Sequence, residues 1–228
     1  LKQPERVVLY ESGDTVTENV IMAAALSPSK TIIQFASANY MVQDVCGYLE
    51  SLGVKVEGIG TTTLTITGLK KQAKKDVIYY PAEDPIEAMF FVSTAIANNA
   101  EITIRRVPID FMALELLKLK KMGATFTESE RYKAKNGITD LIDVVVHKHN
   151  GNLKAPIDKV YGRPYPGLNI DNLPYFVPIA AVAKGRTLIH DWIYENRAIY
   201  YTELTKIGAQ IDLADPHRIY VTGPTKFT

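Results

Sequence analysis

The stretch TLIHDWIYENRAIYYTELTKIGAQIDLADPHRIYVTG, residues 187–223, decides the fold, because the chain carries two earlier versions of it. TIIQFASANYMVQDVCGYLESLGVKVEGIGTTTLTITG fills residues 31–68, and ITIRRVPIDFMALELLKLKKMGATFTESERYKAKNG fills residues 102–137. Each reads as a strand, a helix, a hydrophobic-Gly step and two short strands, with the end of another helix in front. Ile33 to Gly53, Ile104 to Gly123 and Ile189 to Gly208 cover nearly the same length. A repeated supersecondary unit cannot bury its apolar face alone, so the units must stack on one another. The fold class is therefore α/β, built by repetition.

Working outward, 228 residues suffice for one large domain or two small ones. A formal charge of +1 gives no long-range pull toward nucleic acid or an acidic membrane, though a local cluster can hold an anionic ligand. The single cysteine, Cys46, leaves no intramolecular disulfide and agrees with a reducing compartment. No apolar run reaches the roughly 20 residues a spanning helix needs, and no signal peptide opens the chain. Leu1 in place of Met indicates either processed ends or a piece of something longer.

RVVLY reads as a strand, and GDTVTENVIMAAAL as a turn and a helix whose threonines can cap exposed amides. Met41, Val42, Val45, Tyr48, Leu49 and Leu52 share one helical face, and Gly53 suits the left-handed position that ends it. The lysine-rich run from Lys70 to Lys75 reads as a solvated connector into a strand, VIYY. Pro81 and Pro85 bracket the best boundary. A helix from Ile86 to Ala97 opens the second unit, and LIDVVVH is an additional strand between the second unit and the third. The third follows YGRPYPGLNIDNLPYF, an irregular loop of the kind on which binding chemistry is often mounted.

Asp171 is the sharpest chemical candidate, either as a cap on the following helix or as a general base facing a substrate hydroxyl. Glu195 and Arg197 in YENR are either a structural ion pair or a guanidinium fork offered to a phosphate or a carboxylate. Asp84 and Glu87 hold the matching junction of the second unit, where capping and dipole stabilisation are the alternative to a ligand. Thr15, Thr17, Glu18 and Asn19 do so in the first, where helix amides and hydroxyls can hold a phosphate or sugar, or simply cap. Cys46 follows an apolar helical pattern and reads as packed. His147, His149, His190 and His217 show no metal-ligand spacing.

These residues also carry a resemblance. TVTENVIMAAAL with TIIQFA, LGVKVEGIGT and ITG is similar to the third repeat of the UDP-N-acetylglucosamine 1-carboxyvinyltransferase family, a branch of the enolpyruvyl transferases. EDPIEAMFFVSTAI resembles its Asp-Arg-Ile-Glu segment. YPGLNIDNLPYF resembles Tyr-Pro-Gly-Phe-Pro-Thr-Asp-Leu-Gln-Pro-Gln-Phe, and YENRAIYYTELTKIGAQI resembles Phe-Glu-Asn-Arg and its helix. The likeness runs unbroken over nearly the whole chain. It implies an inside-out α/β barrel of repeated βαβαββ units in two lobes, with residues 1–80 as the third unit of the first lobe. Residues 81–228 would then be the first and second units of the second. The implied activity transfers the enolpyruvyl group of phosphoenolpyruvate to the 3-hydroxyl of UDP-N-acetylglucosamine. That is the first committed step of peptidoglycan precursor synthesis, cytoplasmic and without a cofactor. The related 5-enolpyruvylshikimate-3-phosphate synthases share the fold, but the Asp-containing loop and YENR favour the UDP-sugar branch.

By the resemblance, Asp171 matches the carboxylate that moves the sugar-hydroxyl proton. Glu195, Asn196 and Arg197 match the segment beside the UDP-sugar, and Asp84 and Glu87 two acids at the lobe crossover, whereas the first-unit loop holding Thr15 and Thr17 differs from the family's form. Departures are equally specific. Pro85 stands for an arginine, Asn169 and Ile170 for Pro-Thr, Leu173 for a glutamine, and Asn39, Tyr40 and Met41 for Glu-Pro-Glu. The family's N-terminal lysine, loop cysteine and phosphoenolpyruvate-clamping arginines have no counterpart in these residues, so the segment alone is expected to be inactive. Uncovered repeat faces suggest self-association. A divergent protein binding another phosphorylated ligand and a repeat-built interaction module are the alternatives.

Overall fold

A computed structural model of the chain describes residues 4–71 and 76–228; of the lysine run, residues 72–75 lie outside the described residues. The chain divides into two units. The first comprises residues up to 82 with 133–139 and 164–166, and the second 83–132, 140–163 and 167–228.

In the first unit the elements are β1 (Arg6–Val8), α1 (Asp14–Ala25), β2 (Lys30–Gln34), α2 (Tyr40–Ser51), β3 (Lys55–Glu57) and β4 (Thr63–Thr67). They form one sheet in the order β1-β2-β4-β3, with β1 parallel to β2 and the other pairs antiparallel. Period-two alternation sends Thr31, Ile33, Leu64 and Ile66 to the covered face, where Ile21, Ala24, Val42, Cys46 and Leu49 of the two helices meet them. Each large apolar side chain buried this way contributes roughly 1.5–3 kcal/mol. Asn39 caps α2 by accepting from the Tyr40 N–H at 2.8 Å. α1 has Gly13 at its cap and no side-chain cap, contrary to the sequence expectation that its threonines serve there.

The second unit holds α3 (Pro85–Ala97), β5 (Ile102–Pro108), α4 (Ala113–Met122), β6 (Phe126–Glu128), the first residue of β7 (Tyr132–Lys133) and β8 (Asp140–Val146). β9 (Val160–Tyr161), α5 (Phe176–Val182), β10 (Gly185–His190), α6 (Arg197–Tyr201), β11 (Gln210–Asp215) and β12 (Arg218–Gly223) complete it. A 3-10 turn over Leu173–Tyr175 leads into α5, and another over Thr202–Ile207 continues α6. Two sheets result, β5-β8-β6 and β11-β12-β10-β9, around one apolar core centred on Met89, Leu116, Leu119, Phe176, Ile189 and Val221.

The three sheets share one plan: a first strand pairs with the last of its repeat, which pairs with the one before it, all antiparallel. Gly53, Gly123 and Gly208 all take left-handed φ, from +96° to +103°, at the hydrophobic-Gly steps. Two sequence expectations change. LIDVVVH is no extra strand, since β8 pairs with both β5 and β6 and closes the second repeat. VIYY forms no strand; Tyr79 instead donates its hydroxyl to Asp44 at 2.9 Å and stands edge-on to Tyr48.

Candidate active site around Asp171

The loop before α5 folds on itself. Asn169 accepts the Asp171 N–H on its side-chain oxygen at 2.9 Å and the Asn172 N–H on its carbonyl at 3.0 Å. This turn leads directly into the 3-10 segment and leaves the Asp171 carboxylate partly exposed. It does not cap the helix that follows: neither the 3-10 segment nor α5 has a side-chain cap. Its neighbours are the Tyr194 hydroxyl, which donates to Oδ1 at 3.4 Å, and Arg197, whose Nη1 is 3.6 Å away.

Arg197 begins α6, directly after Asn196, whose left-handed backbone (φ 61°) turns the chain into the helix. Its guanidinium is gripped from behind. Nε donates to Asp191 Oδ2 at 2.5 Å, and Nη2 donates to Asp191 Oδ1 at 3.1 Å and to the Ile170 carbonyl at 2.8 Å. Tyr194 lies against the guanidinium plane, 4.3 Å from its ring centroid. Asp191 is wholly buried and also accepts from the Tyr201 hydroxyl at 2.5 Å. Burial pulls the Arg197 pKa down, but the Asp191 hydrogen bonds and the neighbouring acids outweigh it and hold the group above its ordinary value. Burial, reinforced by Asp191, pushes the Tyr201 hydroxyl up. A bidentate fork held on one edge presents its remaining nitrogen in a fixed direction. The result is a half-open carboxylate beside a permanent positive charge, an arrangement able to take up a hydroxyl proton while holding an anion.

The structure thus brings Asp171 and Arg197 together, but Glu195 is not the partner of Arg197. Glu195 is 85% exposed and lies 3.6 Å from His217 Nε2. Asp84 and Glu87 face a separate cavity of about 410 Å³ in the same unit, between the start of α3 and β5. There Asp84 caps α3, accepting from the Ile86 N–H at 2.8 Å, and Pro85 is the first helical residue. Arg105 and Arg106 of β5 line the same cavity, and Arg106 pairs with Glu83. In the first unit Thr15 is exposed, whereas Thr17 is fully buried. The Thr17 hydroxyl donates to the Gly13 carbonyl at 2.6 Å and accepts from the Ser37 N–H at 3.0 Å. It serves the core, not an open surface. Cys46 is buried in α2, and burial pushes its thiol up to about 12.

Sequence reasoning did not single out Asp191, Tyr194, Tyr201 or Glu115. A signal existed for the first: an acid ending the apolar strand TLIHD must find a partner if it is buried.

A model of the EPSP synthase (3-phosphoshikimate 1-carboxyvinyltransferase) family matches residues 7–227. The UDP-N-acetylglucosamine 1-carboxyvinyltransferase of Treponema pallidum (strain Nichols) is 31% identical over 219 residues, covering 96% of this chain and 50% of the relative. Its namesake in Aeromonas hydrophila subsp. hydrophila is 32% identical over 199 residues, covering 87% and 44%. The chain spans about half the length of the relatives it matches. Among solved structures, the enolpyruvyl transferase NikO from Streptomyces tendae matches with a TM-score of 0.73 at 22% identity, over 93% of this chain and 47% of that one. An EPSP synthase from Acinetobacter baumannii matches at 0.69 and 21%, over 97% and 49%. At those identities the likeness speaks to the fold.

Proposed function

The chain belongs to the EPSP synthase (3-phosphoshikimate 1-carboxyvinyltransferase) family, and we propose from that membership that it serves enolpyruvyl transfer from phosphoenolpyruvate to the 3-hydroxyl of UDP-N-acetylglucosamine. The observation that carries this reading is Asp171 beside an Arg197 fixed by Asp191. Asp171 takes the proton of the sugar hydroxyl as its oxygen adds to C2 of phosphoenolpyruvate, whose methylene carbon gains a proton. The tetrahedral ketal phosphate then loses phosphate and a methyl proton, leaving the enol ether. Arg197 contributes a fixed positive charge beside the proton acceptor, which meets the growing negative charge of the adduct. Of the remaining candidates in the second unit, Asn196 and Glu195 are positions for the nucleotide sugar, and the cavity at Asp84 and Glu87 suits a polar group with charges of both signs.

These 228 residues by themselves are expected to be inactive. The loop cysteine of the family has no stand-in, because Cys46 is sealed in α2 with its thiol protonated. Incubation with phosphoenolpyruvate and UDP-N-acetylglucosamine, followed for phosphate, tests this. No release is expected, and sustained release by the purified chain contradicts the expected inactivity. The cytoplasm is the proposed compartment, and among the described residues no helix is long and apolar enough to cross a membrane.

A further inference from the structure

Glu115 is the third residue of α4, and only 2% of it is exposed. A buried carboxylate costs free energy unless donors replace its lost water. Apart from its own backbone N–H, its donors come from one loop. Oε1 accepts the side-chain amide of Asn172 at 3.0 Å and the backbone N–H of Asn169 at 3.2 Å. Those residues bracket Asp171, and Asn169 in turn holds the Asp171 N–H. Asn172 is itself completely buried. On its other side the loop is gripped by Arg197 through the Ile170 carbonyl. The turn carrying Asp171 is therefore held by α4 as well as by α6.

We infer that Glu115 is a positioning residue, the seat that fixes the 169–172 turn and with it the direction of the Asp171 carboxylate. Both contacts depend on the residue types in the loop. A proline at 169 has no N–H to give, and an aliphatic residue at 172 has no amide. Burial raises the Glu115 carboxyl above its ordinary range, and the Asn172 and backbone donors oppose that shift. Calling this positioning rests on the proposed role of Asp171. The test uses no turnover, so the seat and that role can fail separately.

Amide hydrogen exchange on the 228-residue chain, with global stability measured in parallel by urea, decides the matter. In Glu115→Leu the Asp171 and Asn172 amides are expected to exchange about tenfold faster or more, beyond any change in the slowest amides of β10 and β12. Glu115→Gln, whose carboxamide oxygen can accept the same two donors, is expected to restore protection. If Glu115→Leu does not fold, Asn172→Leu removes the side-chain donor from the loop side, and the same local loss is expected. Loop protection that follows core protection in every variant, with no rescue by Gln, overturns the inference.

Discussion

At position 191 a carboxylate with no solvent contact accepts from a guanidinium and from a phenol, and everything about Arg197 follows from that grip. Removing the acid's charge leaves the guanidinium short of its main partner. Asp191→Asn is therefore expected to lower the unfolding free energy in urea by about 3 kcal/mol, the lower end for a broken buried pair. The lower end applies because 21% of the Arg197 side chain remains in solvent. Stability equal to wild type contradicts the grip. Glu115 gives a second test, through pH. Its folded pKa lies above the ordinary 4.5, so its contribution is fully present below that value and is lost as pH rises through the raised folded pKa. Compared with Glu115→Gln, wild type is expected to lose stability as pH rises from about 4.5; a constant difference contradicts it. Asp171 and Arg197 were legible because short motifs mark them. Asp191 carried only the weaker signal of an acid closing an apolar strand, and Glu115 carried none, because an exposed acid and an acid with buried donors look alike in a string of letters.

Among the elements, the repeat shows itself most sharply at two glycines. Gly68 follows β4 and Gly223 ends β12, and both cross the carbonyl end of the first helix in their repeat. An added Cβ would stand 2.2 Å from the Ser27 carbonyl oxygen at Gly68, and 2.3 Å from that of Ala183 at Gly223. Just beyond them, the Leu69 and Thr225 N–H groups donate to Ala25 and Ala181, satisfying helix-end carbonyls. Because the obstacles are backbone atoms, Gly68→Ala and Gly223→Ala are each expected to cost about 1–3 kcal/mol in thermal or urea unfolding. Neutral variants contradict the close crossing. The repeat was readable from the spacing of its hydrophobic-Gly steps. The closing strand of the middle copy was not, because residues 129–139 separate β8 from β6, and Lys148 stands where the other copies have glycine. VIYY has the alternation and branching of a strand, yet Ile78 is 86% exposed and Tyr79 is committed to Asp44. Composition describes a residue's preference for extended backbone but cannot supply a neighbouring strand.

For the molecule as a whole, two units with separate apolar cores meet in sequence between Ala82 and Glu83, inside the segment bracketed by Pro81 and Pro85. The fold class was legible because repetition and motif order agree along nearly the entire chain. The assignment of units to lobes remains a proposal drawn from the resemblance. So does the acceptor, and the cluster at Asp171 is where it is most exposed to test. The most direct measurement is titration of the isotope-labelled chain with UDP-N-acetylglucosamine, following backbone amide shifts by NMR. Saturable shifts of Asp171, Asn196 and Arg197 are expected, whereas resonances at those three positions that stay in place at millimolar nucleotide sugar contradict the account.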